Sequence, residues 1–384
     1  VLFRSLELRK RGQRTRVNSD ELTVPSTCRL QFMMVERKSS KRKAVENEET
    51  LDKDDDLLRR KIKKVGEEAL DTDGDEQQKK KKDGPPRIIL GTYKIKKAVV
   101  IKKMIKAAID NNYGGIDTAA IYDNETEIGA ALKSLKVSRD SLYLQSKLWR
   151  SVPPSDVEKK LKKSIKDLGV THLDCYVMHW PGPGRHLNYA PVTKTSTTIV
   201  SGAIVSTKKP NKNPKKVVQC PSDWTTKTRH DSWEQLSLCV DKGLTRHLGV
   251  SNFSFKQLRD LIAFCKSKNL HLPTLVQNEF HPLLKMDPRV TILCNENNIT
   301  FQAHSSLGCG HELVLGNSVV KDIAARNNIS PALVLFKYGL AKNCTLIIKS
   351  TNVDRLESNI TGINDTSTDL TADEVDALTE VSSN

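Results

Sequence analysis

The stretch "GGIDTAAIYDNETEIG" at residues 114–129 contains one complete unit of a pattern that the rest of the chain repeats. Its first part, "GGID", is short and apolar and predicts a buried strand that ends at Asp117. Its last part, "DNETEIG", is typical of the acidic first turn of a helix. Tyr122 lies between them, five residues after Asp117. The stretch therefore predicts a strand followed by a helix, with an acid and a phenol at the junction.

The residues that follow Tyr122 suit the N-terminus of this helix. We expect Asp123 or Asn124 to be its N-cap, because a short oxygen-bearing side chain there accepts hydrogen bonds from free backbone N–H groups. Glu125 and Glu127 would then complement the positive end of the helix dipole.

The same alternation of strand and helix recurs from Pro85 onward. Eight short apolar strands are predicted: "RIIL" from residue 87, "GGID" from 114, "SLYLQS" from 141, "HLDCYVM" from 172, "HLGV" from 247, "TLVQNE" from 274, "ITFQAH" from 299 and "CTLIIK" from 344. Strands that are apolar along their whole length are typical of a parallel sheet covered on both faces. Eight such α/β units in about 290 residues favour a closed (β/α)₈ TIM barrel over an open sheet.

Residues 182–230 interrupt this alternation. They separate the fourth strand from a helix that is expected to begin near Asp231, and they are rich in Pro, Lys, Thr and Ser without periodicity. A long loop of this kind is either an excursion over an active site or a disordered insert. On a barrel it would leave from the carboxyl end of the fourth strand, above the catalytic face.

Residues 1–84 differ in composition from the predicted barrel domain at 85–384. They carry few aromatic residues and no sustained period, which predicts a disordered, lysine-rich tail. We expect translation to begin at Met33 in "MMVER" rather than at Val1, so that part of the tail is an artefact. The formal net charge is +16, and much of it lies in this tail and in the 182–230 insert. We interpret it as solvated charge, and a nucleic-acid-binding arm or a nuclear-import signal is the alternative.

Cysteines and apolar runs restrict the class of protein further. The eight cysteines are scattered singly without a zinc spacing, and no "HExxH" occurs, so we expect free thiols in a reducing compartment and no metal site. No apolar run approaches the length of a membrane span, and the N-terminus lacks the apolar block of a signal peptide. These features predict a cytoplasmic protein without a membrane partner, with nuclear localisation through the basic tail as the alternative.

Polar residues follow the carboxyl ends of the predicted strands, where a barrel enzyme carries its catalytic groups. In chain order they are Asp117, Tyr122, Lys147, His179, Ser251, Asn252, Gln277, Asn278 and Lys349. Each of them alone is compatible with a structural role, but their placement at successive strand ends indicates a single site. Trp149 and Trp180 lie beside this set in the sequence, and they either line an apolar substrate pocket or fill the core.

Four of these residues together suit a proton transfer. A tyrosine is a poor acid near neutral pH, but a nearby ammonium such as Lys147 would stabilise the phenolate and lower the pKa of Tyr122. Asp117 would hold Lys147 in place and offset its charge. His179 would donate a hydrogen bond to a substrate oxygen and fix its position.

The motifs around these residues resemble those of the aldo-keto reductase family. "IDTAAIYDNETEIG" is similar to the family's first signature, "LDCYVMHWPGP" to the second around the active-site histidine, and "IIKSTNVDRLESN" to the third near the cofactor. "GVSNF" and "VQNEFHPLL" match further motifs of the family. The resemblance covers essentially the whole predicted barrel, including all four positions of the proton-transfer set.

The resemblance implies a role for each of the four residues. Tyr122 would be the general acid, Asp117 and Lys147 the pair that sets its pKa, and His179 the group that orients the carbonyl. Members that reduce carbon–carbon double bonds carry a glutamate in place of this histidine, so His179 favours carbonyl chemistry.

The resemblance also implies NADPH as cofactor. The residues that would contact it are Ser251, Asn252 and Gln277 at the nicotinamide carboxamide, His304 at the position of the stacking aromatic, and Lys349, Ser350, Arg355 and Asn359 at the adenosine 2′-phosphate, with Thr351 in the same segment. A lysine and an arginine near a helix start suit a phosphomonoester. No "GxGxxG" follows a strand, so a Rossmann site is not indicated.

The resulting hypothesis is a monomeric, NADPH-dependent oxidoreductase that reduces an aldehyde or ketone to an alcohol. A second hypothesis keeps the barrel and the cofactor but gives the protein a regulatory or interaction role with weak catalysis, as in the channel-associated members of the family. The tail and the 182–230 insert would then be its docking surfaces.

Overall fold

The structure is a computed structural model, which describes residues 84–182, 198–200, 203–205, 225–284, 286–310 and 312–381. Almost all of the tail predicted at 1–84 lies outside the described residues, and so does most of the insert predicted at 182–230. For the two short segments inside that insert, 198–200 and 203–205, only the backbone is described.

Eight parallel strands close into a barrel. In chain order the strands of the described residues are β1 (Ile88–Gly91), β2 (Gly115–Asp117), β3 (Tyr143–Leu148), β4 (Leu173–Met178), β5 (Thr198–Val200), β6 (Ala203–Val205), β7 (Thr245–Ser251), β8 (Leu275–Glu279), β9 (Thr300–His304) and β10 (Thr345–Ile348). The barrel runs through β1, β2, β3, β4, β7, β8, β9 and β10, and β10 pairs back with β1. Each of these eight strands overlaps its predicted segment, so the predicted (β/α)₈ barrel is confirmed.

Helices surround the barrel. In the described residues they are α1 (Ala98–Asp110), α2 (Glu125–Ser134), α3 (Val157–Leu168), α4 (Thr226–Asp241), α5 (Phe255–Lys268), α6 (Arg289–Glu296), α7 (Glu312–Leu315), α8 (Ser318–Arg326), α9 (Pro331–Ala341), α10 (Val353–Asn364) and α11 (Ala372–Glu380). A capping box at Ser254 begins α5, and Gly169 ends α3 with a φ of 65°, a conformation that glycine adopts without strain. None of these helices is both long and apolar enough to cross a membrane.

Apolar side chains form a core on each face of the barrel sheet. The larger cluster lies between the strands and the helices and includes the fully buried Trp233, Ile101 and Leu161. A smaller cluster inside the barrel consists of Cys175, Val177 and Leu275. Burial on both faces explains why the strands are apolar along their whole length.

Two details differ from the expectation for residues 182–230. Helix α4 begins at Thr226 and not near Asp231, because Thr225 and Thr228 form a capping box that starts the helix earlier. Within the segment that was expected to lack regular structure, β5 and β6 pair antiparallel, with Ile199 opposite Ile204. The β-branched residues of "TIV" and "AIV" favour such strands.

Candidate active site

Adjacent strands β2 and β3 bring three of the predicted catalytic residues together at their carboxyl ends. Lys147 is completely buried, and its Nζ donates to Asp117 Oδ1 at 2.5 Å and to the carbonyl oxygen of Thr118 at 2.8 Å. The same nitrogen lies 3.4 Å from the phenolic oxygen of Tyr122. Burial lowers the pKa of Lys147, and the Asp117 carboxylate acts against that shift.

Tyr122 is held in place by a short 3₁₀ helix, which it ends, and by the side chain of Asn124. Thr118 Oγ1 donates to Asn124 Oδ1 at 2.9 Å. Asn124 Nδ2 in turn donates to the carbonyl oxygens of Thr92 and Ile95, both at 3.0 Å. The buried amide therefore joins the turn that carries the phenol to the chain segment that follows β1.

The expected N-cap of α2 is not formed by a side chain. Asn124 occupies the N-cap position, but its side chain makes no capping hydrogen bond because it is engaged with Thr118 and the backbone. Asp123 precedes it in a left-handed conformation with a φ of 53°. The carboxylate of Asp123 pairs instead with Lys96 Nζ at 3.3 Å.

Glu125 lies in the first turn of α2 together with Glu127, as the sequence predicts. Its side chain is buried, which the sequence does not indicate. The hydroxyl groups of Ser146 and Ser164 donate to its two carboxylate oxygens at 2.6 and 3.0 Å. Burial raises the pKa of Glu125, and these two hydrogen bonds act in the opposite direction.

His179 follows β4 and reaches the same site. Its ring meets the ring of Tyr122 edge-on, with 5.8 Å between the centroids, and Asn252 Nδ2 donates to its carbonyl oxygen at 2.9 Å. Burial and then the charge of Lys147 lower the pKa of His179 well below its ordinary value. The imidazole is therefore neutral near pH 7, with one N–H to donate. Its buried Nδ1 has no hydrogen-bond partner in the described part of the chain.

The pKa of Tyr122 is raised, whereas the sequence led us to expect a lowered value. Burial is the largest cause, and the negative charge of Asp117 and the neighbouring Tyr93 add to it. Lys147 does not reverse this shift, since Asp117 Oδ1 lies at 2.5 Å from its Nζ and offsets its charge. Tyr122 therefore keeps its proton throughout the neutral pH range, which is the state in which a phenol can donate to a carbonyl oxygen.

A layer of glutamine side chains surrounds Asp117 inside the barrel, and two of its members were not predicted. Gln145 and Gln277 both donate through Nε2 to Asp117 Oδ1, at 2.7 and 3.0 Å. The same nitrogens donate to Gln302 Oε1, at 2.8 and 2.9 Å. Gln145 could have been predicted from the sequence. It precedes Lys147 by two residues, and alternate residues of a strand lie on the same face.

Aromatic rings line the space around Tyr122 and His179. Trp149 meets His179 edge-on with 5.3 Å between centroids, and Trp180 stacks on it at 6.3 Å. Tyr93, which the sequence reasoning missed, lies 5.0 Å from the ring of Tyr122 and is 50% exposed. Its position two residues after β1, close to a strand end like the predicted site residues, could have identified it.

Four of the predicted cofactor residues lie at the carboxyl ends of β7, β8 and β9. Asn252 has a φ of 62°, and its Nδ2 donates to Ser251 Oγ at 3.1 Å. Gln277 directs its amide nitrogen inward to Asp117. His304 ends β9, and burial lowers its pKa to about 4, so the ring is neutral near pH 7.

The five residues predicted at the adenosine phosphate lie between β10 and the first two turns of α10: Lys349, Ser350, Thr351, Arg355 and Asn359. Asn352 is the N-cap of α10, and its Oδ1 accepts from the backbone N–H of Arg355 at 3.4 Å. Lys349 and Arg355 are exposed, on either side of this helix N-terminus. Two cations and the positive end of a helix dipole suit the binding of a phosphate monoester.

The described residues also include histidine, cysteine and acidic side chains away from this site. Among them, no group of three His, Cys, Asp or Glu side chains is arranged to hold a metal ion. The six cysteines that they include are free, and five of these are buried.

The fold and the polar side chains at one face of the barrel define a (β/α)₈ barrel enzyme. The chain belongs to the Aldo/keto reductase family, whose model matches residues 87–383, and it is thus an oxidoreductase. It is 32% identical over 279 residues to aldose reductase B of Dictyostelium discoideum, covering 71% of this chain and 82% of that protein. It is 33% identical over 274 residues to glycerol 2-dehydrogenase (NADP(+)) of Saccharomyces cerevisiae, and the match covers 71% of this chain and 81% of that protein.

Solved structures agree with this membership. The aldose reductase from Schistosoma japonicum superposes with a TM-score of 0.59 at 28% identity, covering 78% of this chain and 89% of that one. The aldose reductase from Giardia lamblia superposes with a TM-score of 0.60 at 26% identity, and the match covers 78% of this chain and 93% of that one.

Proposed function

We propose that the protein reduces the carbonyl group of a small aldehyde or ketone to an alcohol, with NADPH as hydride donor and Tyr122 as general acid. The observation that carries this proposal is the contact of a protonated phenol with a buried ammonium, 3.4 Å apart, beside a neutral imidazole. The names of the relatives, which include aldose reductases and an NADP(+)-dependent glycerol dehydrogenase, support the same reaction.

The proposed proton step uses the contacts among Tyr122, Lys147 and Asp117. Tyr122 donates its proton to the oxygen of the carbonyl as negative charge develops there. The phenolate that remains is stabilised by Lys147, whose Nζ is already 3.4 Å away and needs no rearrangement. Asp117, hydrogen-bonded to that ammonium at 2.5 Å, keeps the ammonium charged and correctly placed.

The carbonyl is oriented by His179. Its lowered pKa keeps the ring neutral, so the ring has one N–H to give and carries no charge that would repel Lys147. The edge-on contact with the ring of Tyr122 supports this role, because it brings the imidazole beside the phenol that would donate to the same oxygen. A substrate oxygen that accepts from both is fixed in the position where protonation occurs.

NADPH supplies the hydride when it is bound. We assign its nicotinamide carboxamide to Ser251, Asn252 and Gln277, and its ring to a stacking contact with His304. Neutral His304 suits such a contact, because an uncharged imidazole is the less hydrated form. We assign the 2′-phosphate to the segment that begins α10, with Lys349 and Arg355 as its cations and Ser350, Thr351 and Asn359 as further contacts.

Trp149 and Trp180 form the apolar wall of the substrate pocket in this proposal. Their rings contact His179 and leave a face for an apolar substrate group. We further propose that the enzyme acts as a cytoplasmic monomer and that its basic tail does not take part in the reaction.

Replacing the phenol tests the role of Tyr122. Tyr122→Phe keeps the ring and removes only the acid, so we expect NADPH oxidation with 4-nitrobenzaldehyde to fall at least about a thousandfold while NADPH binding is retained. Tyr338→Phe is the matched control: its hydroxyl bonds Thr379 at 3.3 Å, between α9 and α11, and its loss should leave turnover unchanged.

Two outcomes would overturn parts of this proposal. Turnover retained by Tyr122→Phe would remove Tyr122 as the acid. Tight NADPH binding by the wild type with no turnover of any aldehyde in a panel would favour the regulatory role over catalysis.

A further inference from the structure

Of the polar residues that the sequence places at strand ends, Asn278 alone has no role in the proposed reaction. It lies near the carboxyl end of β8 and is buried. Successive side chains of a strand point to opposite faces of the sheet, so Asn278 points away from the barrel interior, into which Gln277 directs its amide. A buried amide is costly unless it is hydrogen-bonded, and its partners therefore indicate what it does.

Both polar atoms of the Asn278 side chain bond to the backbone of one residue. Its Oδ1 accepts from the N–H of Phe253 at 3.1 Å, and its Nδ2 donates to the carbonyl oxygen of Phe253 at 2.9 Å. Only a side-chain amide offers a strong acceptor and a strong donor side by side in this way. Both hydrogen bonds are buried, so the loss of either would leave a backbone group without this partner.

These two hydrogen bonds continue the attachment of β7 to β8 beyond the end of the strand pairing. The paired residues extend to Ser251 opposite Gln277, and the N–H of Asn252 donates to the carbonyl oxygen of Gln277 at 3.1 Å. Asn252 then turns the chain with a φ of 62°, a conformation that is more common for asparagine than for most residues. Because Asn278 holds the next residue, Phe253, the turn stays attached to β8.

The turn that Asn278 holds carries part of the proposed site. Ser251 and Asn252 are the proposed contacts of the nicotinamide carboxamide. Asn252 Nδ2 also donates to the carbonyl oxygen of His179 at 2.9 Å. The far end of the turn is fixed separately, because Ser254 begins α5 with a capping box. Asn278 therefore secures the turn on the side of the barrel, where the cofactor contacts would lie.

We propose that Asn278 is a positioning residue for the cofactor, whose side chain holds the turn so that Ser251 and Asn252 meet the nicotinamide carboxamide. The proposal rests on the function proposed above. A hydrogen bond weakens steeply as its geometry departs from the optimum, so a small displacement of the turn would weaken the carboxamide contacts. The contacts of the 2′-phosphate would be kept, because they are assigned to the segment that begins α10.

Two dinucleotides that differ only at the carboxamide test this role. NADP+ has an NH₂ group there and its 3-acetylpyridine analogue has a methyl group, so the ratio of their dissociation constants measures the hydrogen bonds of the NH₂ group. Tryptophan fluorescence would be titrated with each. We expect the wild type to bind NADP+ about fivefold more tightly than the analogue. Asn278→Leu, which has a similar shape without the polar atoms, should lose most of that difference.

A second variant and a control support the measurement. If Asn278→Leu does not fold, Asn278→Asp replaces it, and the same loss is expected because a carboxylate oxygen then faces the carbonyl oxygen of Phe253. The matched control is Asn327→Leu, since Asn327 Nδ2 donates to the carbonyl oxygen of Ile323 at 3.1 Å and to Glu374 Oε1 at 2.8 Å, where α8 meets α11. The control should lower the free energy of unfolding and keep the wild-type ratio.

The ratio separates positioning from a purely structural role. If the Asn278 variants lose stability but keep the wild-type ratio, Asn278 is only structural and the proposal is overturned. Equal binding of both dinucleotides by the wild type also overturns it, because the carboxamide then makes no contact that the turn could position. A wild type that binds neither dinucleotide overturns this proposal and the proposed function together. A failure to reduce any aldehyde would overturn only the proposed function, since the ratio is measured without a substrate.

Discussion

Tyr122, Lys147 and Asp117 form a chain of contacts in which only the phenol changes its protonation state during the proposed reaction. Burial raises the pKa of Tyr122, so the acid is fully protonated before the reaction. The free-energy cost of a half-buried phenolate arises only as the proton leaves. Lys147, whose Nζ lies 3.4 Å from the phenolic oxygen, can stabilise the negative charge at that moment. A lowered pKa in the resting protein is therefore not required for the acid role.

The Lys147 and Asp117 pair depends on its surroundings for stability. Lys147 is completely buried, and a buried ion pair gains little over an apolar pair unless its remaining hydrogen bonds are satisfied. Here the carboxylate oxygen of Asp117 also accepts from Gln145 and Gln277, and Lys147 also donates to Thr118. The glutamine layer thus makes the charged pair compatible with a buried position.

His304 provides a test by pH. Burial lowers its pKa to about 4 from an ordinary value of 6.5, so protonation favours the unfolded chain. The stability that this histidine contributes is complete above pH 6.5 and is lost as the pH falls toward 4. Between pH 7.5 and 5.5 the wild type should lose about 1 kcal/mol more unfolding free energy than His304→Phe, which has no proton to gain.

Urea unfolding of both proteins at the two pH values gives this difference, because the titrating groups away from residue 304 contribute equally to both proteins. The same loss in wild type and variant would show that His304 titrates as an exposed histidine does.

At the scale of elements, the turn between β2 and α2 carries Tyr122, the proposed general acid, and depends on one amide. Asn124 makes three side-chain hydrogen bonds, to Thr118, Thr92 and Ile95, and all of them are buried. Asn124→Ala leaves these groups without their partner. We expect kcat for aldehyde reduction to fall at least about tenfold and the free energy of unfolding to fall by about 1–3 kcal/mol, with NADPH affinity nearly unchanged.

Steady-state kinetics, NADPH titration and urea unfolding measure these three quantities. Asn111→Ala is a matched control, since Asn111 makes one side-chain hydrogen bond, to the carbonyl oxygen of Ala107 at the end of α1. An Asn124→Ala variant that lost stability but kept wild-type kcat would show that the turn does not position Tyr122.

The strands were predictable from the sequence because a barrel strand is covered on both faces, so that each one is a short apolar run between polar connections. That Asp117, Tyr122, Lys147 and His179 come together was predictable because they lie at or just after strand ends. The start of α4 was placed too late, since its first turn contains no apolar residue and its capping box is made of Thr225 and Thr228.

The glutamine layer and the burial of Glu125 could not be predicted from the sequence in this way. Gln145 and Gln302 come from strands that are far apart in the sequence, and only the barrel register brings their amides together, with the amide of Gln145 donating to Asp117 and to Gln302. Glu125 looks like an ordinary helix-start acid until packing of α2 on Ser146 and Ser164 buries it. Contacts between distant elements decide both cases.

At the scale of the whole molecule, closing the barrel joins the two ends of the domain. Strand β1 pairs with β10, and the hydroxyl of Tyr113 donates to the carbonyl oxygen of Leu356 in α10 at 3.1 Å. The segment after β10 and the turn that carries Tyr122 therefore follow the two strands that flank β1, although more than two hundred residues separate them. A cofactor that spans these ends would bring its reactive ring to the barrel mouth.

Transfer of hydride from NADPH to a carbonyl carbon is the central claim, and isotope transfer tests it most directly. The full chain would be incubated with 4-nitrobenzaldehyde and NADPH carrying deuterium at the transferring position of C4, and the product would be analysed by mass spectrometry. We predict 4-nitrobenzyl alcohol with one deuterium on the carbinol carbon, formed in step with NADPH oxidation. Tight NADPH binding without any deuterated alcohol would contradict the account.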